Sequence, residues 1–262
     1  MTGLDFRPLP GAAPRSQMLR AQVGMEFRLQ LRNAEQVGLT LLIPVLLLIF
    51  FNLPLLYTNE QLGAPRRIDF FVPSIMTLAV MSAAFTGLAI GTGFERKYSV
   101  LKRLGTTALP RTTLVLGKTF AVLLLEVVQM VLICAVGLAL AWHPHGDPLA
   151  AIALVVVGTL AFGGLGMLVA GTLRAEVTLA VANLIWLVLL FAGGIAIPLS
   201  KFGSTARDIL QFLPSAALSD GLHAVLQHGD GAGNQVVVRA LVTLAVWAAV
   251  AIPASARWFR WE

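Results

Sequence analysis

The chain has 262 residues, of which 57% are hydrophobic and only 12% are charged, and its formal net charge is +6 at pH 7. Soluble domains are about 25% charged, so this composition excludes a fold built around one soluble core. The apolar residues form long uninterrupted runs without the alternation of barrel strands, which predicts an all-α membrane protein.

The N-terminal region carries positive charge and no apolar run, so no cleavable signal peptide is expected there. Three prolines within residues 1–14 predict a disordered tail. From Arg15 to Glu35, basic residues recur at helical spacing opposite apolar ones, although Gln22 and Glu26 interrupt the apolar side. We expect an amphipathic helix at the membrane interface here, in preference to a flexible tail.

Six apolar stretches are long enough to cross a bilayer, which takes about 20 residues of helix. We therefore predict six transmembrane helices in a single domain covering residues 15–262. The predicted spans are approximately 36–57, 70–94, 118–142, 149–173, 177–200 and 237–256.

Positive charge predicts the orientation of these spans. With the N-terminus in the cytoplasm, 14 of the 19 Lys and Arg residues fall in the four cytoplasmic segments. The positive-inside rule thus places both termini in the cytoplasm of a multi-pass protein of the cell (inner) membrane. This topology accounts for the basic charge, so no nucleic-acid partner is expected.

The longest cytoplasmic loop between spans, Phe94–Lys118, predicts a short charged helix. Gly105 and the following threonines should end this helix, and Pro110 prevents its continuation. A solvated loop near lipid headgroups and a docking element for a cytoplasmic partner fit the loop equally well. The residues of the predicted helix are Phe94, Glu95, Arg96, Lys97, Tyr98, Ser99, Val100, Leu101, Lys102, Arg103 and Leu104.

Three polar residues are predicted to lie within the membrane: Glu126, Gln129 and Asn183. A carboxylate in a bilayer is costly, so Glu126 could bind a cationic or polar group of a substrate. A structural hydrogen bond to another helix, with Gln129 nearby, is the favoured alternative, and the same holds for Asn183.

A stripe of small residues occupies the second span, where Ala79, Ala83, Gly87 and Gly91 recur every four residues. Small residues let helices approach closely, so we expect this stripe to pack helices within one subunit rather than to mark a substrate site.

The segment from residue 201 to 235, between the last two spans, is too polar to span and too apolar to be a plain loop. A first short helix should stop at Pro214, and Ser219–Gln227 could form a second. We expect an outer helical hairpin that re-enters or lies on the outer leaflet.

The chain shows no sign of enzymatic chemistry. It contains no Gly-x-x-x-x-Gly-Lys-Ser/Thr phosphate loop, and no Ser/His/Asp or Cys/His constellation is present. His143 and His145 flank Pro144 without carboxylate or cysteine partners, so no metal site is expected.

Several motifs resemble those of ABC-2 (type-2 ABC exporter) permeases, including daunorubicin-resistance-like drug exporters. The stretch Glu95–Ile133 resembles the region from the second to the third helix of that family. Residues 193–199, followed by Phe212-Leu213-Pro214, resemble its fifth span and outer re-entrant hairpin. The matching residues in the first stretch are Glu95-Arg96, Leu101, Leu104, Thr106-Thr107, Pro110-Arg111 and Gly117-Lys118.

The resemblance implies the transmembrane subunit of an ATP-driven exporter of hydrophobic drugs, lipids or lipid-linked molecules. Two such subunits would associate, as a homodimer or a heterodimer, among membrane lipids above a dimer of separate ATPase subunits. ATP and Mg²⁺ would bind those ATPases, with no cofactor on this chain, and the helix within Phe94–Leu104 would be the coupling helix.

Two other function classes remain open. One is a membrane scaffold without transport activity. The other is a carrier driven by an ion gradient, but such carriers usually have broken helices and several intramembrane ionisable groups, and Glu126 is the only one expected here.

Overall fold

The computed structural model describes residues 13–53, 66–144, 146–196, 203–227 and 233–259, and the regular secondary structure in these ranges is helical. This confirms the all-helical class. The predicted disordered tail lies outside the described residues, except for Ala13 and Pro14.

The described ranges form ten helices, numbered here in chain order. Helix α3 includes a π-helical stretch, Met81–Gly87, between α-helical turns on either side. The helices are α1 (Arg15–Arg32), α2 (Ala34–Asn52), α3 (Arg67–Lys97), α4 (Val100–Gly105), α5 (Arg111–Ala139), α6 (Pro148–Thr172), α7 (Ala175–Ala192), α8 (Ser204–Leu210), α9 (Pro214–Gln227) and α10 (Asn234–Trp258).

Five of these helices, α3, α5, α6, α7 and α10, are each long and apolar enough to cross a membrane. Two bent pairs also qualify when each is taken together: α1 with α2, which turns by 72°, and α8 with α9, which turns by 97°. The described chain therefore holds five to seven membrane-capable segments, where six spans were predicted. The predicted first span falls on α2, and its residues 54–57, like residues 197–200, lie outside the described ranges.

Helix boundaries follow local chemistry. Pro148 stands at the first position of α6, and the Asp147 carboxylate accepts a hydrogen bond from the Leu149 amide at 2.9 Å, which caps this helix. Helix α4 ends at Gly105, as predicted, and α5 begins at Arg111, seven residues before the predicted start of the third span. Helix α9 begins at Pro214, five residues before the predicted start, because proline fits the first turn of a helix.

The short helix predicted within Phe94–Leu104 is present as α4, but it occupies only the second half of that stretch. Phe94 to Lys97 form the last turn of α3, and only Val100 to Leu104 lie on α4. Between them Ser99 adopts a left-handed conformation with φ of 61°, which ends one helix and redirects the chain into the next.

Helix α3 is the centre of the bundle, and close helix contacts are made through glycines of α6. A Cβ at Gly166 would lie 2.6 Å from the Phe85 carbonyl oxygen of α3, and one at Gly164 would lie 2.9 Å from Ala251 Cβ of α10. These glycines therefore let α6 lie directly against both neighbours. In contrast to α3, most of the apolar surface of α7 is exposed.

Candidate functional site

Three charged residues far apart in the sequence meet at one end of the bundle. Lys118 of α5 is only 2% exposed, and its Nζ lies 2.7 Å from Glu26 Oε1 of α1 and 2.7 Å from Glu95 Oε2 of α3. Gln22 Nε2 also donates to Glu26 Oε1 at 2.7 Å. We call Glu26, Glu95 and Lys118 the ion cluster, and the end of the bundle that holds it and α4 the α4 end.

Local sequence makes the ion cluster possible. A Cβ at Gly117 would lie 2.5 Å from Gln22 Cγ, so glycine at this position allows α1 to lie on α5. The adjacent Lys118 then reaches both carboxylates. Buried charges are tolerated when they are paired and hydrogen-bonded, which is the arrangement here.

The buried face of α1 differs from the face that the sequence pattern predicted. Gln22 and Glu26, which seemed to interrupt its apolar side, are its buried residues, while Leu29 and Leu31 are exposed. The sequence signal was the pair of polar residues four apart on an otherwise apolar face. Their partner Lys118, about 90 residues away, could not be identified from spacing alone.

The end of α3 is also tied to the turn between α6 and α7. Arg96 Nη2 donates to the Leu173 carbonyl oxygen, and Lys97 Nζ pairs with Glu176 Oε1. The Phe94 and Tyr98 rings stack with their centroids 6.3 Å apart. The last turn of α3 therefore contacts α5, the α6–α7 turn and α7 directly through charged or polar groups, and Lys118 links it to α1.

Helix α4 has one buried side and one exposed side. Leu101 is fully buried against Leu114, Val115, Met167 and Phe259. Tyr98 in the preceding turn and Val100, Lys102 and Arg103 on the helix are exposed, whereas Leu104 is half-buried. The predicted coupling segment is thus divided between the end of α3, which anchors it, and α4, which presents a surface.

A cavity of about 810 Å³ opens beside the ion cluster, between α1, α2, α3 and α5. Its polar residues at the α4 end include Glu26, Gln30, Glu35, Glu95 and Lys118. Its walls further along the bundle are mainly apolar. These apolar residues include Leu39, Ile43, Leu47, Leu78, Leu88, Val122 and Leu125.

The small-residue stripe of α3 borders this cavity. Ala79, Ala83, Gly87 and Gly91 all line it. A Cβ at Gly91 would meet nothing within 4 Å, and one at Gly87 would approach only Ser82 of its own helix. The close helix packing expected of the stripe is therefore not made at these two glycines, which face open space.

The three polar residues that were predicted to lie within the membrane have different surroundings. Glu126 is fully buried, and Thr159 Oγ1 of α6 donates to its Oε2. Gln129 is 1% exposed, lines the cavity and donates from Nε2 to the Thr40 carbonyl oxygen of α2 at 2.7 Å. Asn183 is exposed on α7, and its amide makes no hydrogen bond to the described part of the chain.

Among the described residues, no group of three or more His, Cys, Asp and Glu side chains is placed to hold a metal ion. The site instead combines buried ion pairs, a short exposed helix and a cavity that is polar at one end. This arrangement can connect an external partner to the bundle and enclose a small molecule.

Comparison with known protein families identifies the family to which this chain belongs. The model of a family described as ABC-2 family transporter protein matches residues 58–257, from before α3 to the end of α10. No curated protein matches the chain. Because the match covers most of the chain, including α4 and the cavity walls on α3 and α5, the chain belongs to the ABC-2 transporter family, whose permease domains are membrane components of ABC transporters.

Proposed function

We propose that this chain is the permease subunit of an ATP-driven exporter, powered by a separate ATPase that docks at the α4 end. Family membership supports the first part of the proposal. The observation that carries the second is the construction of α4, which is exposed on one side and anchored on the other.

A docking helix must present contacts to a partner and also pass movement to the membrane helices. The exposed side chains Val100, Lys102 and Arg103 provide the first property. The buried Leu101 and the charged contacts at the end of α3 provide the second. Displacement of α4 would therefore move α3, α5 and the α6–α7 turn together.

In this mechanism the ATPase binds ATP and Mg²⁺, and its closure pushes on α4. The bundle then changes between inward-facing and outward-facing states, and the cargo leaves the cytoplasm or the inner leaflet. The excess of positive charge at the α4 end supports a cytoplasmic location for it. In the same orientation, α1 would lie at the cytoplasmic interface and α8–α9 would form the outer re-entrant hairpin.

A second permease subunit would complete the pathway. Helix α7 supports this, since it is mostly exposed and carries among Leu184, Leu187 and Val188 the amide of Asn183, which has no hydrogen-bond partner among the described residues. An amide facing lipid is unfavourable, and a second subunit could satisfy it through an interhelical hydrogen bond. Hydrophobic drugs, lipids or lipid-linked molecules would be the cargo.

The proposal is tested by purifying the tagged chain from its native membrane in mild detergent and identifying its partners by mass spectrometry. We expect a stoichiometric polypeptide with a Walker-type phosphate loop. A double variant of exposed α4 residues, Val100→Asp with Arg103→Glu, should lose this partner while inserting normally. Glu95 and Leu101 are unsuitable for this test because both support the fold.

The matched control is Ile209→Asp with Arg207→Glu, an equivalent change on the exposed helix α8. This variant should retain the ATPase, because it lies outside the proposed docking surface. Repeated absence of any ATPase with the intact chain would favour the membrane scaffold or the gradient-driven carrier instead.

A further inference from the structure

The cavity beside the ion cluster is lined by more acidic than basic side chains, which indicates the charge of the ligand that it binds. Four ionisable side chains line it: Glu26, Glu35, Glu95 and Lys118. If all are ionised, they sum to a net charge of −2. The nearby arginines of α1, Arg28 and Arg32, are exposed and do not line the cavity.

Two amide side chains in the lining also favour a ligand that donates hydrogen bonds. The Oε1 atoms of Gln129 and Gln30 are buried and have no hydrogen-bond partner in the described part of the chain. Gln129 Nε2 is already bonded to the Thr40 carbonyl oxygen, so the unused group of this amide is an acceptor. Unsatisfied buried acceptors cost free energy and are stabilised by a donor.

The rest of the cavity is lined so that it can hold the apolar part of a ligand. Its walls on α2, α3 and α5 are lined mainly by leucine, isoleucine, valine and small residues, and its volume of about 810 Å³ lies within the range of small-molecule sites. The open space at Gly87 and Gly91 widens the cavity on the α3 side. A guest would thus place apolar groups along the bundle and its polar group near the carboxylates.

We infer that the cavity binds an amphipathic organic cation, with its positive group at the α4 end and its apolar body between α2, α3 and α5. This inference rests on the proposed transport function for its biological role, because the guest would be the cargo or a competitor of it. The binding itself requires only this chain.

The inference is tested by the binding of radiolabelled tetraphenylphosphonium to the purified full-length chain in phosphatidylcholine nanodiscs, with empty nanodiscs as background. Tetraphenylborate is the matched anion, since it has the same shape and opposite charge. We expect saturable binding of the cation that is at least about tenfold tighter than that of the anion, because the lining carries excess negative charge.

Two variants locate the site. Gly91→Leu should fill the cavity and weaken cation binding by about tenfold or more, whereas Gly38→Leu should not. Both glycines have space for a side chain, but only Gly91 lines the cavity. Glu35→Gln, at an exposed residue outside the ion cluster, should weaken cation binding about fivefold and leave folding unchanged.

Equal affinity for cation and anion, or equal loss of binding in Gly91→Leu and Gly38→Leu, would overturn the inference. These results are independent of the ATPase. Capture of an ATPase by a chain that binds no cation would leave the proposed function standing and reject the cation site. Selective cation binding without any ATPase partner would support the site and contradict the exporter.

Discussion

At the residue scale, the ion cluster explains why a buried lysine lies on α5, a helix that is mainly apolar. Lys118 holds Glu26 and Glu95 together, so α1 and the end of α3 are fixed to α5. A buried ion pair adds little net stability compared with an apolar replacement of the whole set, but removal of one partner leaves an uncompensated charge. The ion cluster therefore acts as a unit.

We predict that Lys118→Met destabilises the chain by about 3–5 kcal/mol, because the buried Glu26 and the half-buried Glu95 lose the cation that they share. Thermal unfolding in detergent, followed by intrinsic fluorescence, measures the effect. The exposed Lys102→Met should change the unfolding temperature little.

Simultaneous replacement by Glu26→Gln, Lys118→Met and Glu95→Gln should recover most of the lost stability, since the ion cluster then carries no charge. A single Lys118→Met variant as stable as the wild type would show that the three residues are not coupled.

At the element scale, the sequence predicted helices well and their partners poorly. Apolar runs and the proline and glycine residues located the membrane helices and the end of α4 at Gly105, because these signals are local. The break at Ser99 was missed because a left-handed serine has no local signature. The cavity along the small-residue stripe was missed because a stripe of this kind suits close packing and open space equally.

Glycines within the helices should tolerate replacement by alanine differently, depending on whether they pack against another helix or border the cavity. We predict that Gly166→Ala lowers stability by about 1–3 kcal/mol, since its Cβ would press on the Phe85 carbonyl oxygen of α3. Gly91→Ala should be neutral or stabilising by up to about 1 kcal/mol, because alanine favours helix and the space is open. Unfolding temperatures of both variants in the same detergent check this, and equal destabilisation would contradict the packing described for α6.

At the scale of the whole molecule, charge separates the two ends of the bundle. The α4 end carries the basic loops, which is why we place it in the cytoplasm. Composition and apolar runs were sufficient to predict a helical membrane protein. The number of spans does not follow from hydropathy alone, because α1–α2 and α8–α9 are bent pairs whose hydropathy does not reveal whether they cross.

The orientation is tested with single cysteines in a Cys134→Ser background. A membrane-impermeant maleimide should label Ser204→Cys on α8 in right-side-out vesicles, and should label Arg103→Cys on α4 only in inverted vesicles. Both positions are exposed, so access depends on the side of the membrane. The reverse labelling pattern would invert the topology and remove α4 from the cytoplasm.

The central claim, that an ATPase docks on the α4 end, is tested most directly by photo-crosslinking in native membranes. A photoreactive amino acid replaces Tyr98, whose side chain is 67% exposed beside α4, and the same group at Ile209 on α8 provides the control. The account predicts a crosslink from position 98, and none from position 209, to a polypeptide with a Walker-type phosphate loop. Crosslinks from position 98 to lipid alone, in membranes where the chain is folded and abundant, would contradict it.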